Sequence, residues 1–231
     1  MSQEQVRYEL QDGIAVVTVD DGRANALSHA VLGALGAVLE RAERDEARAV
    51  VMAGRPGRFC AGFDLTVMMA GARERRMLVE EGARLFLRMY EFPRPIVVAC
   101  SGHALAAGAV WLTVCDWRVG ADVDAKIGLN EVAIGLPLPV FALELARARL
   151  AGHRVLEATA HARIYSPREA AEVGYLDEVV SPDAVLATAM TRATALGALK
   201  DPAYSYTKHM VRVSVARHIR DTLEEDMDKI G

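Results

Sequence analysis

The spacing of apolar positions changes repeatedly along this chain, and each change marks an element. Val6–Leu10 and Ile14–Val19 flank Asp12-Gly13, which predicts a hairpin closed by a two-residue turn. After Ser28, apolar residues fall at Val31, Leu32, Leu35, Val38 and Leu39. That is helical spacing, with Ser28 as the cap and an end near Arg44. Ala49–Met52 is a short apolar strand, and Gly54–Gly62, rich in Gly, Pro and Arg, reads as a loop. A helix is expected over Glu74–Tyr90, stopped by Phe92-Pro93. Ile96–Ala99 reads as a buried strand, followed by a turn and a buried helix over Ala107–Val114.

Trp117–Gly120 and Lys126–Gly128 look like short strands, whereas Leu138–Leu150, Arg154–Ala160 and Pro167–Glu172 look helical. Ser166 is the expected cap for Pro167 in the first turn. Asp177–Val180 is a last strand. Ser181 should then cap a helix over Pro182–Leu199, with a helical tail from about Pro202. Strands alternating with helices, then helices alone, predict an α/β core with a helical C-terminal part. The expected division is a core over 1–180 and a helical region over 181–231.

Composition narrows the partners. The chain has 231 residues, of which 52% are apolar, enough for a sizeable core without a disulfide or zinc staple. The formal charge is −4 and no basic stripe is present, which argues against nucleic acid. The three cysteines, Cys60, Cys100 and Cys115, are odd in number and form no CxxC. A reducing, cytoplasmic setting is the simpler expectation. The first ten residues carry no apolar signal segment. Pro95–Cys115 lacks Asp, Glu, Lys and Arg and approaches the length of a membrane span. Pro95, Ser101, Gly102, His103 and Gly108 interrupt it, so no membrane partner is expected. The six histidines show no metal-ligand spacing, and no metal is expected. His103 beside Ser101 has no G-x-S-x-G context and reads as a packed turn histidine.

Two loops of small residues carry the candidate chemistry. Arg58-Phe59-Cys60-Ala61-Gly62-Phe63-Asp64-Leu65 links a strand to a short helix. Ser101-Gly102-His103-Ala104-Leu105-Ala106-Ala107-Gly108 again leads from a buried strand into a helix. Small residues allow close approach to the backbone, and helix starts present free N–H groups. Either loop alone would read equally as a tight turn.

Together the loops resemble the crotonase (enoyl-CoA hydratase/isomerase) family. The resemblance extends to Asn25-Ala26-Leu27, Cys115-Asp116, Ser166-Pro167 with Ala170 and Gly174, and Val179-Val180. It implies a crotonase-like spiral of ββα units with a helical C-terminal part that joins protomers into a homotrimer or hexamer. It implies an acyl-CoA substrate and no separate cofactor. It makes the backbone N–H groups of Phe63 and Ala107 the donors to a thioester oxygen, with Gly108 as an adjacent candidate. Two such donors would stabilise an enolate-like oxygen. For CoA it implies contacts from Arg23, Ala26, Cys60, Ala61, Gly62, Asp64, Leu65 and Lys208, with Arg58 as a further basic neighbour. Asp64 reads equally as an anchor of its own loop.

The carboxylates depart from the two-glutamate hydratase pattern. The first glutamate position of that pattern is Val110 here. The second is matched by Glu131 in Ile127-Gly128-Leu129-Asn130-Glu131. The Leu-Asn-Glu form is similar to the isomerase branch, which works with one glutamate. One acid/base can relocate a proton, whereas water addition calls for a second group. Glu80 and Glu81 read as solvated helix residues. A true hydratase with another second acid, a non-catalytic acyl-CoA binder, and a decarboxylase or thioester hydrolase are the alternatives.

Overall fold

The computed structural model describes residues 5–230. Its first hairpin pairs β1 (Val6–Gln11) with β2 (Ile14–Val19). The turn between them places Asp12 at φ 49° and Gly13 at φ 75°, the double left-handed pair that a two-residue hairpin turn requires. Ser28 then caps α1 (His29–Arg44), its side chain accepting from the Val31 N–H. Next come β3 (Ala49–Ala53), β4 (Gly57–Cys60), α2 (Leu65–Met68) and α3 (Ala72–Glu91). The following unit is β5 (Ile96–Cys100), β6 (Gly102–Leu105) and α4 (Ala107–Val114). Then follow β7 (Trp117–Ala121), β8 (Ile127–Gly128), α5 (Val140–Arg149), α6 (Val155–Ala158), α7 (Pro167–Val173) and β9 (Glu178–Val180). Helices α8 (Val185–Gly197) and α9 (Ala203–Ile230) complete the described chain.

The strands divide between two sheets. The larger has the order β1-β2-β3-β5-β7-β9, parallel from β2 onward. Its central strands are apolar throughout because both faces are covered. Ala49, Val51, Ala53, Val97 and Ala99 pack with Val185, Ala189 and Ala193 of α8. Their alternating neighbours Val50, Met52, Ile96 and Val98 face the main core with α1, α3 and α4. The smaller sheet is β4-β6-β8, wholly parallel. Three successive strands of the large sheet, β3, β5 and β7, are therefore each followed by one strand of the small sheet.

Two expectations need correction. Residues Gly57–Cys60 and Gly102–Leu105, read as loop and turn, form β4 and β6. Ser181 makes no side-chain cap, and a short 3-10 turn over Pro182–Ala184 precedes α8. The Ser166 cap is present as a full capping box with Glu169. Among the described residues, no helix is long and apolar enough to cross a membrane.

Candidate active site

The small sheet brings the site together. Its strands run parallel in register, Cys60 beside Ala104, Ala104 beside Ile127 and Leu105 beside Gly128. Their carboxyl ends therefore emerge side by side, where open α/β sheets place ligands. Just beyond those ends lie Phe63 after β4, Ala107 after β6 and Glu131 after β8.

Phe63 reaches its place through a parallel bridge to Leu27. The Leu27 N–H donates to the Gly62 carbonyl (2.8 Å), and the Asp64 N–H donates to the Leu27 carbonyl (3.1 Å). That pattern uses the groups on either side of Phe63 and turns its own N–H away from Leu27. The ring packs against Gly82 of α3, where a Cβ would lie 2.4 Å from it. Ala107 is the first residue of α4, so its N–H has no intrahelical acceptor. Ala106 makes the corner at φ 50° and ψ −124°, a conformation that costs an alanine of order 1–3 kcal/mol. The Ala106 N–H donates to the Gly128 carbonyl at 3.0 Å, which ties this corner to the strand that leads to Glu131.

Gly108 is turned elsewhere. A Cβ there would lie 2.2 Å from the Cys60 carbonyl oxygen, so glycine lets α4 sit directly on β4. Ala107 lines the cavity in front of the site and Gly108 does not.

That cavity has a volume of about 290 Å³ and brings together Phe63, Ala107, Val110 and Glu131. Among the described residues that line it, Glu131 is the one carboxylate. Its Oε2 is buried without a hydrogen-bond partner. Burial pushes its pKa up to about 7, only partly offset by the backbone N–H groups of Glu131 and Asn130. Val110, one turn into α4, is buried against the cavity and carries no proton.

A sequence profile described as enoyl-CoA hydratase/isomerase matches residues 9–229. This chain belongs to the enoyl-CoA hydratase/isomerase family. It is 33% identical over 220 residues to human mitochondrial enoyl-CoA delta isomerase 1, covering 93% of this chain and 72% of that one. A solved enoyl-CoA hydratase/isomerase family protein from Pseudomonas syringae superposes with a TM-score of 0.96 at 37% identity, over 98% of each chain. A solved enoyl-CoA hydratase from Mycobacterium marinum gives a TM-score of 0.94 at 33% identity, over 99% of this chain and 100% of that one. The crotonase fold is thus shared, while the names of these relatives divide between isomerase and hydratase.

The other expected contact residues are dispersed. Ala26 and Gly62 flank the Leu27–Phe63 bridge, and Ala61 is exposed beside them, its N–H donating to the Ala24 carbonyl at 3.1 Å. The Cys60 thiol is buried, with its pKa pushed up to about 12 by desolvation, so this segment offers backbone rather than a thiolate. Asp64 caps α2 by accepting from the Thr66 N–H at 2.8 Å, and Leu65 beyond it is exposed. Arg23 and Arg58 are exposed and lie outside the cavity. Glu80 pairs with Arg84 (2.7 Å) and Glu81 with His29 (2.5 Å), so neither lines the cavity.

Lys208 is a correction. Its ammonium is buried 2.7 Å from Asp116 and 3.1 Å from the Arg94 carbonyl, which commits its charge inside the fold instead of to a phosphate. The sequence also missed cavity walls that come from distant elements. Arg75 and Val79 of α3, Phe141 and Ala142 of α5, and Ile230 at the end of α9 all line it. The one sequence signal that could have linked any of them is the four-residue spacing of Arg75 and Val79, which puts both on one helix face.

Proposed function

We propose that this protein is an enoyl-CoA isomerase in which Glu131 relocates a proton. The observation that carries this reading is a single carboxylate, its pKa near 7, in a cavity lined also by Phe63, Ala107 and Val110. The thioester oxygen would accept from the Phe63 and Ala107 N–H groups. Glu131 would take a proton from C2 of a 3-enoyl-CoA, and the negative charge would spread to that oxygen. The double bond would move from C3–C4 to C2–C3 as Glu131 returns the proton to C4. No further cofactor is needed for these steps. A pKa near the working pH suits a group that must both accept and donate. Preorganised N–H donors are worth about 2.7–4 kcal/mol each in comparable sites.

The 33% identity to a human protein named enoyl-CoA delta isomerase supports the same choice. Fatty-acid or related acyl-CoA metabolism is the setting that fits, with CoA lying along Arg23, Ala26 and Ala61–Gly62. Assembly into a trimer or hexamer, covering the exposed Tyr206, Met210 and Val211 of α9, belongs to this proposal and is read by sedimentation mass.

The deciding assay follows isomerisation of 3-enoyl-CoA and hydration of 2-enoyl-CoA by the wild type and Glu131→Gln. Wild-type isomerisation lost in the variant is the expected result. Hydration at comparable rates would instead favour a hydratase. Activity that survives in the variant would remove Glu131 from the mechanism.

A further inference from the structure

The cavity lining is largely apolar, with Phe63, Val110, Val79 and Phe141 among its walls, and Arg75 stands out from them. The guanidinium of Arg75 makes two long contacts with main-chain carbonyls, Met68 O at 3.3 Å and Ile230 O at 3.5 Å. Three other arginines of α3 end on carboxylates, Arg76 on Asp228, Arg84 on Glu80 and Arg88 on Glu40, and Arg73 is exposed to solvent outside the cavity. Arg75 has no carboxylate partner among the described residues, although it is only partly exposed. A charge placed against apolar walls is expensive unless something pairs with it.

The position of Arg75 along α3 is informative. Gly82 of that helix touches the Phe63 ring, and Val79 and Arg75 line the cavity one and two turns before it. Seven residues of helix span roughly 10 Å. An extended chain advances about 1.2 Å per bond. A ligand whose carbonyl sits at Phe63 and whose chain runs past Val79 would therefore bring its end to Arg75 after roughly six to ten carbons.

We propose that Arg75 recognises a terminal carboxylate, so that the preferred substrates are acyl-CoA esters of medium length whose acyl chain ends in an acid. This rests on the acyl-CoA reading of the cavity and adds to it the nature of the far end of the chain. A planar guanidinium suits a carboxylate through two parallel hydrogen bonds. The apolar stretch between Phe63 and Arg75 suits the methylenes. Lys229, which also lines this end and pairs with Glu225 at 2.8 Å, adds positive potential without offering a free partner.

The test compares CoA esters of one length, eight carbons, that end in a methyl, a hydroxyl or a carboxylate. Binding of the saturated esters is measured by calorimetry and turnover of the 3-enoyl esters by absorbance, for the wild type, Arg75→Met and Arg75→Lys. The wild type should favour the carboxylate-ended ester over the methyl-ended one at least ~10-fold, the worth of a hydrogen bond to a charged group. Arg75→Met should erase that ratio, and Arg75→Lys should keep part of it. A wild-type ratio near one, equal affinity for the hydroxyl-ended ester, or a ratio unchanged in Arg75→Met would each overturn the proposal. So would an equal loss across all three esters in Arg75→Met, since that would make Arg75 a strut for the end of α9. Binding and turnover separate the two levels of argument. Carboxylate-selective binding without any turnover would sink the isomerase reading and leave Arg75 in its role. Turnover of the methyl-ended ester without selectivity would do the reverse.

Discussion

Asp116 and Glu131 are both acidic side chains in apolar surroundings, yet the fold treats them in opposite ways. Asp116 has every direction filled. Its Oδ2 accepts from the Ile96 N–H and from Lys208, each at 2.7 Å, and Arg212 stands 3.0 Å from Oδ1. Lys208 and Arg212 belong to α9, so this carboxylate clamps the last helix onto the start of β5. Glu131 has Oε2 buried without a partner and a pKa pushed up to about 7. Two cations surround the first, and none among the described residues pairs with the second. Asp116 is held in place by ion pairs and hydrogen bonds, whereas Glu131 is left without one on Oε2. The difference supports the proposed role of Glu131 without reference to any relative, because structural carboxylates are normally paired and working ones are often left tuned.

The largest effect should come from removing the unpaired member. Glu131→Gln keeps the shape and cannot take the proton, so isomerisation should fall by roughly 100- to 10,000-fold. Steady-state rates on a 3-enoyl-CoA read this directly. Removing the paired member should act on stability instead. Asp116→Ala leaves the Lys208 ammonium (6% exposed) and the Arg212 guanidinium (14%) without their counter-charge. Breaking such a buried pair costs about 3–5 kcal/mol, measurable by urea unfolding. The pH dependence of the remaining activity should stay where it was. A shift in that profile would mean that the two carboxylates are not separate devices.

The same contrast explains what the sequence could reveal. Ser28, Asp12-Gly13 and the Ala107–Val114 helix were legible because their signals are local: a cap, a turn pair and an uncharged run. Glu131 was legible through its motif, but its isolation was not, since nothing in Leu129-Asn130-Glu131 shows that Oε2 lacks a partner. Two of the small sheet's three strands were missed because Gly57–Cys60 and Gly102–Leu105 are four residues each, with no alternation to distinguish strand from loop; the third, β8, was expected over Lys126–Gly128. The site depends on that sheet more than on any other element. Lys208 was misassigned for a related reason. Its partner Asp116 lies 92 residues away in sequence, and a lysine on a helix looks solvated until the opposite wall is known. Arg75, Phe141 and Ile230 converge on one cavity from α3, α5 and α9, a meeting fixed by tertiary packing alone.

Leaving Glu131 unpaired has a cost in stability, and its sign can be worked out. The folded value of about 7 lies above the ordinary 4.5, so the folded state holds this proton more tightly than the unfolded one. The resulting contribution is fully present below pH 4.5 and is lost as pH rises through 7. By pH 8 the ionised group disfavours folding by about 3 kcal/mol. Glu131→Gln removes that dependence. The variant should match the wild type near pH 4 and exceed it by up to about 3 kcal/mol at pH 8, in denaturant titrations run at both pH values. Equal stability at pH 8 would place the carboxylate in a wetter site than the cavity suggests.

The smallest expected effect tests why the carboxylate is single. Val110 faces the cavity from the first turn of α4, so Val110→Glu would add a second acid beside the first. Two carboxylates that share one site resist ionising together. The rising limb of kcat/KM for isomerisation should move up by about one pH unit, and hydration of 2-enoyl-CoA should emerge as the new group holds a water. Both readouts matter, because lost packing at a buried valine would lower every rate alike without moving the limb. A limb that stays in place, with no hydration, would show that positions 110 and 131 do not address the same reacting carbons. The isomerase preference would then have to rest on something other than the missing second acid.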